Sequence, residues 1–146
     1  MTGRRATVRA FLLVLALLGV AVPSSAAEIS REDAAAIRAV ITEQLDAFAR
    51  DDGPRAFSLA TAGIRAQFGT AEVFMEMVRD QYPVVYRPKS VKFEPPETIE
   101  GEVVQPVRMA DAEGGVWLAV YPMLREAGRG WRTNGCLLQR LSGVQA

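Results

Sequence analysis

The feature that most constrains this chain is a change of hydrophobic period near Pro88. Before it, apolar residues recur every three or four positions. After it, they alternate. A helical half followed by a strand half predicts an α+β domain, because each element has one apolar face and must bury it against another layer.

In the first half, Ser30 and Asp33 have the spacing of a capping box, with acids early in the helix at Glu32 and Asp33. Ile37, Ile41, Leu45 and Phe48 follow as one stripe. Asp51-Asp52-Gly53-Pro54 ends this helix and opens another, since Asp52 or Gly53 can cap and a first-turn proline loses no hydrogen bond. In the short second helix, Phe57, Leu59 and Ala60 are expected inward. Ala62–Gly69 reads as a connection, at most one irregular helical turn. Thr70 is expected to cap a third helix with Val73, Phe74, Met77 and Val78 inward, ended near Tyr82 by Pro83.

In the second half, Ser90–Phe93 and Glu102–Met109 read as strands, the latter with Val103, Val107 and Met109 on one face. Asp111-Ala112-Glu113-Gly114-Gly115 is a hairpin loop, and Val116–Leu124 is the most apolar, central strand. Pro106 is read as an edge mark, and Pro122 as marking an edge or a bulge at that end of its strand. Trp131–Leu141 is the last strand, with a bulge at Gly135, because Cys136 and Leu138 can rejoin the face of Trp131 and Thr133 only after a one-residue slip.

The N-terminus carries a different pattern. Arg4, Arg5 and Arg9 precede a run from Ala10 to Val22 that is apolar apart from Gly19, and then Pro23, Ser24, Ser25, Ala26 and Ala27. Charge, apolar run and small residues in that order define a secretory signal peptide over residues 1–27, with cleavage after Ala26 or Ala27. As a helix the apolar run spans about 20 Å at ~1.5 Å per residue, short of the roughly 30 Å of a bilayer core. No stable membrane anchor is therefore expected after cleavage. Residues 28–146 form the expected single domain, exported to the periplasm or beyond. Without its three leading arginines the chain has 14 basic and 17 acidic residues, a net charge of −3. That balance excludes ordinary nucleic-acid binding, which needs a basic surface.

The chemistry is bounded by absences. There is no histidine, which removes Ser-His-Asp and Cys-His catalysis and the commonest metal ligand. Cys136 is the one cysteine, so no internal disulfide forms. No phosphate loop or dinucleotide fingerprint appears, and no cofactor or metal is expected. Carboxylates and tyrosines remain. Asp46 or Glu43 as base, with Tyr82, Tyr86 or Tyr121 as donor, would suit proton transfer beside a carbonyl. The ordinary reading is a solvated helix face for the acids and packing for the phenols. Cys136 reads as a small buried hydrophobe, reactive only beside a cation such as Arg132 or Arg140. Asp51-Asp52-Gly53 reads as a turn, lacking the alternating acids of a calcium loop. Arg87, Lys89 and Lys92, with Tyr86 and Phe93, form the one basic-aromatic stretch, ordinarily a solvated strand edge and otherwise a contact for an anionic lipid or glycan. Phe48, Phe57, Phe74, Trp117, Tyr121 and Trp131 lie on apolar faces and mostly build the core; as ligand-pocket candidates, some of them line a cavity if the sheet leaves one open.

The segments AIRAVITEQLDAFARDDGPRAFSLATAGIRAQFG (Ala36–Gly69), FMEMVRDQYPVVYRPKSVKF (Phe74–Phe93) and GWRTNGCLL (Gly130–Leu138) resemble exported bacterial proteins grouped as domain of unknown function 4864. The resemblance implies a cystatin-like or nuclear-transport-factor-2-like cone, a curved antiparallel sheet packed on N-terminal helices. It carries no activity. Three functions follow as expectations. The first is a non-catalytic periplasmic module binding a small apolar ligand or serving a protein partner. The second is an isomerase- or dehydratase-like enzyme using a carboxylate and a tyrosine. The third is an interaction or self-assembly domain, such as a homodimer through the sheet.

Overall fold

The computed structural model describes residues 28–143. The expected signal peptide lies outside them. Five helices come first, α1 (Arg31–Ala49), α2 (Gly53–Ser58), α3 (Ala62–Phe68), α4 (Ala71–Gln81) and α5 (Pro83–Tyr86). Six strands follow, β1 (Ser90–Phe93), β2 (Glu97–Ile99), β3 (Glu102–Ala110), β4 (Val116–Glu126), β5 (Gly130–Thr133) and β6 (Leu137–Arg140). The fold is α+β, with helices packed on a curved antiparallel half-barrel.

Local chemistry explains the helix boundaries. Ser30 Oγ accepts from the Asp33 N–H at 3.0 Å and starts α1. Ile37, Ile41, Leu45 and Phe48 are buried along one side. Gln44 is buried among them, and its Nε2 donates to the Ala56 carbonyl at 3.0 Å, tying α1 to α2. Asp52 caps α2, with Pro54 in its first turn. Gly53 lets α2 sit close to α4, since a Cβ there would stand 3.0 Å from Met75 Cγ and push that side chain aside.

Two helical expectations need correction, and one short helix is added. Ala62–Phe68 is a complete helix, capped by Thr61 and ended by Gly69 at φ +80°. Seven residues are too few to display a period. In α4 the buried face is Phe74, Met75 and Val78, whereas Val73 is 48% exposed. Positions 74, 75 and 78 share one side of the 3.6-residue turn, and position 73 falls at its margin. Pro83 ends α4 and also opens α5, where its missing N–H costs nothing.

In the sheet, β3 and β4 form the central pair, in register from Val103 opposite Met123 to Ala110 opposite Val116. Each central strand has an outer neighbour in two pieces, β1 then β2 against β3, and β5 then β6 against β4. Both breaks slip the register by one residue. Phe93 faces Val107 and Glu97 faces Val104. Thr133 faces Met123 and Leu137 faces Val120. The second slip coincides with Gly135, at φ +102°. The expected single last strand is therefore two, and β2 is an addition.

Pro106 and Pro122 do not mark edge strands. They sit in β3 and β4, opposite the two breaks. Their carbonyls accept from the Glu94 N–H at 3.1 Å and the Asn134 N–H at 2.8 Å. In an antiparallel strand a residue's N–H and C=O point toward the same neighbour. The missing proline donors therefore face gaps where no ladder partner waits.

All five helices pack on one face of the sheet. Val107, Met109, Ala119, Tyr121 and Met123 form a single core with Ile37, Ile41, Phe48, Phe74, Val78 and Val85. Phe74 is its aromatic hub, with Phe48, Phe57 and Phe68 ring centroids at 6.0, 5.5 and 5.7 Å.

Candidate functional site

A cavity of about 550 Å³ opens between α3–α4 and the edge of β4 at the β5–β6 break. Its helix wall is mostly apolar, with Phe48, Phe68, Phe74, Met77, Val78 and Val85 beside Gln44 and Tyr82. Its sheet wall carries Tyr121, Pro122, Thr133, Asn134, Gly135 and Cys136. Exposed Gln67, Gln81 and Leu137 stand at the mouth. No Asp, Glu, Lys or Arg is among the lining residues.

The fold produces this wall by the break between β5 and β6. Asn134 and Gly135 leave the ladder there and, with buried Tyr121 of β4, form the cavity's sheet wall. Gly135 holds a positive φ that a side chain would strain. Asn134 is fixed at both ends. Its N–H donates to Pro122 O, and its Oδ1 accepts from the Thr61 hydroxyl at 2.9 Å.

Tyr121 is 2% exposed, and its hydroxyl has no hydrogen-bond partner. Burial pushes the phenol well above its ordinary value, and the adjacent Cys136 adds to the rise. Burial also drives the Cys136 thiol up to about 12, with Tyr121 offsetting part of the effect. Its Sγ contacts the Leu137 carbonyl at 3.9 Å. Both groups are uncharged at neutral pH. The cations considered for Cys136 are occupied elsewhere. Arg140 stacks on Trp117 at 5.4 Å, and Arg132 donates to the Trp131 carbonyl at 2.7 Å. Tyr82 also lines the cavity, half-buried, its phenol raised by burial and then by Cys136.

The structure brings Phe48, Phe74, Tyr82 and Tyr121 to this cavity and leaves the other candidates outside it. Phe57 packs on Phe74. The Trp117 indole donates to Asp111 Oδ2 at 2.9 Å and closes the β3–β4 hairpin. The Trp131 indole donates to Asp33 Oδ1 at 3.1 Å, where Arg125 also pairs, and ties α1 to the β4–β5 end. Asp46 is exposed and opens onto a different groove with Arg38, Thr42, Arg87 and Phe93. Glu43 is paired with Arg55 Nε at 2.8 Å. Neither carboxylate meets a tyrosine of the cavity.

The remaining polar groups have structural partners. Asp51 pairs with Arg79 at 3.3 Å, with Arg87 at 3.2 Å and with the Tyr86 hydroxyl, which together hold its carboxyl below the usual range, Tyr86 contributing most. No group of three or more His, Cys, Asp or Glu is placed to hold a metal among the described residues. Among those residues, no helix is long and apolar enough to cross a membrane. The signals that sequence reasoning passed over are Asn134 and the orphaned Tyr121 hydroxyl. The parity of Ala119, Tyr121 and Met123 already put that phenol on the inner face.

Fold and cavity together define a small α+β domain with an uncharged, mostly apolar pocket at a sheet break. Residues 30–146 match the family described as Domain of unknown function (DUF4864), and the chain belongs to that family. Comparison with curated proteins and with solved structures gives no match.

Proposed function

We propose that this domain is a non-catalytic binding module for a small, uncharged, largely apolar molecule held against Tyr121. The observation that carries this reading is the charge-free lining of the 550 Å³ cavity. Its volume falls in the range of small-molecule sites, and its make-up, apolar walls with a few polar groups, is theirs as well. An enzyme built on a carboxylate and a tyrosine finds no support here, because no carboxylate lines the cavity and Asp46 opens elsewhere. The helices on a curved sheet favour kinship with the cystatin-like and nuclear-transport-factor-2-like cones.

The setting we propose is outside the cytoplasm, after loss of residues 1–27. The Arg4, Arg5, Arg9 and Ala10–Val22 pattern supports it. A mature N-terminus at Ala27 or Glu28, read by mass spectrometry, is the expected result.

The binding test uses N-phenyl-1-naphthylamine, a neutral probe whose fluorescence rises in apolar surroundings. Wild type is expected to take it up. Met77→Trp, which fills the cavity from α4, is expected to abolish uptake. Absence of uptake, or uptake indifferent to Met77→Trp, would overturn the reading.

A second reading is self-association through the outer face of the sheet. There Ile99 is 50% and Leu124 47% exposed, beside half-buried Leu118 and Val120. Sedimentation equilibrium of wild type and Leu124→Glu tests it. A dimer lost in the variant supports pairing, and a monomer at high concentration removes it.

A further inference from the structure

The polar groups of the cavity are unequal in a way that specifies what can enter. Thr61 Oγ1 accepts from the Ile64 N–H at 3.3 Å, so its own proton goes to Asn134 Oδ1 at 2.9 Å. The Asn134 amide oxygen is thereby committed, and its nitrogen, a pure donor, is left over. The Thr133 hydroxyl is used by the Leu59 carbonyl at 3.4 Å, and Gln44 Nε2 by Ala56 O at 3.0 Å. The Tyr121 hydroxyl makes no hydrogen bond of normal geometry and has only the weak sulfur contact of the adjacent Cys136 thiol. Native proteins leave few buried polar atoms unpaired, so an orphan of this kind calls for a reason.

What the sheet wall leaves free to donate to an entering molecule is therefore the Asn134 amide nitrogen and the Tyr121 hydroxyl, while Gln67 and Gln81 stand at the mouth. A ligand carboxylate would meet no Lys or Arg, and a ligand ammonium no Asp or Glu. An unpaired charge is far more costly to bury than a carbonyl. Resting on the reading of this cavity as the ligand site, we propose that its ligand is an uncharged, mainly apolar molecule carrying a carbonyl, ester or ether oxygen. The Tyr121 hydroxyl donates to that oxygen.

Three probes of nearly one shape separate these statements. They are 2-acetylnaphthalene, 2-isopropenylnaphthalene, in which CH₂ replaces the oxygen, and 2-naphthoate, in which a charged oxygen replaces the methyl. Each is titrated calorimetrically into wild type, Tyr121→Phe and Met77→Trp. Wild type is expected to bind the ketone about fivefold or more tighter than the olefin, the worth of one neutral hydrogen bond. Tyr121→Phe is expected to bring the two within about twofold by removing that bond. The naphthoate is expected to bind at least about tenfold more weakly than the ketone, as an unpaired charge requires.

A ketone preference that survives in Tyr121→Phe, or is absent from wild type, overturns the role of Tyr121. Olefin binding that Met77→Trp abolishes would still uphold the cavity in that case. Naphthoate binding equal to the ketone overturns the uncharged class. Failure of all three probes overturns the cavity reading together with this proposal.

Discussion

Tyr121→Phe should make the empty protein more stable. The substitution keeps the ring, which packs at 2% exposure on the inner face of β4, and removes only the oxygen. In the folded state that oxygen makes no hydrogen bond of normal geometry, only a contact with the Cys136 thiol, and in the unfolded chain it is fully hydrated. Burying an unsatisfied hydroxyl costs about 1–3 kcal/mol. Against this stands the weak contact with the Cys136 thiol and the small void the oxygen leaves, a few tenths of a kcal/mol at the scale of sulfur contacts. The net expectation is a gain of about 1–2 kcal/mol. For a domain of this size each kcal/mol moves Tm by roughly 3–6 °C. Urea and thermal unfolding followed by circular dichroism, at matched protein concentration and without ligand, read it directly. A variant equal to or less stable than wild type would refute the reasoning, because the hydroxyl would then have a partner worth its burial. Pairing this result with lost ketone selectivity would show stability surrendered for recognition at one atom.

Other expectations rest on separate contacts. Cys136 should resist alkylation by iodoacetamide at pH 8 in the folded protein and react promptly in urea, since its thiol is pushed up to about 12 from 9.0. The same shift has a sign for stability. The unfolded thiol ionises near pH 9 and the folded one only near 12. Its contribution is therefore fully present below pH 9 and is lost as pH rises from 9 toward 12, seen as a falling urea midpoint. Phe74→Ala should cost about 3–5 kcal/mol and lower the urea midpoint sharply, because it empties the hub of three aromatic contacts. Gly135→Ala should lower stability by about 1 kcal/mol through its positive φ and reduce probe uptake by shifting the sheet wall.

Much of the fold was legible because its determinants are local. Ser30, Asp52 and Thr70 announce helix starts by chemistry that needs no tertiary context, and all three cap as their spacing implies. The slip at Gly135 was legible because alternation places Thr133 and Cys136 on opposite faces without it. The prolines misled for a complementary reason. Alternation shows which face a residue occupies but not which strand lies beside it. A missing N–H in a central strand is tolerated when the neighbour is interrupted at that point. The helix of Ala62–Phe68 was hidden by its length, although Thr61 and Gly69 were the caps that gave it away.

The site was less legible. Phe48, Phe74, Tyr82 and Tyr121 could be named from their apolar surroundings. Their meeting in one cavity depends on the volume left between α4 and the β5–β6 break, which no local pattern encodes. Asp46 failed to join them because it follows Leu45 by one residue. A helix turns about 100° in that step, carrying the carboxylate from the core side to the outside.

The central claim is that the cavity holds a small uncharged molecule. It is tested most directly by native and denaturing mass spectra of the protein purified from its native host. The expected native mass exceeds the chain mass by a small-molecule increment that disappears on denaturation and in Met77→Trp. A bare chain, or a bare multiple of it, in wild type under native conditions would contradict the claim.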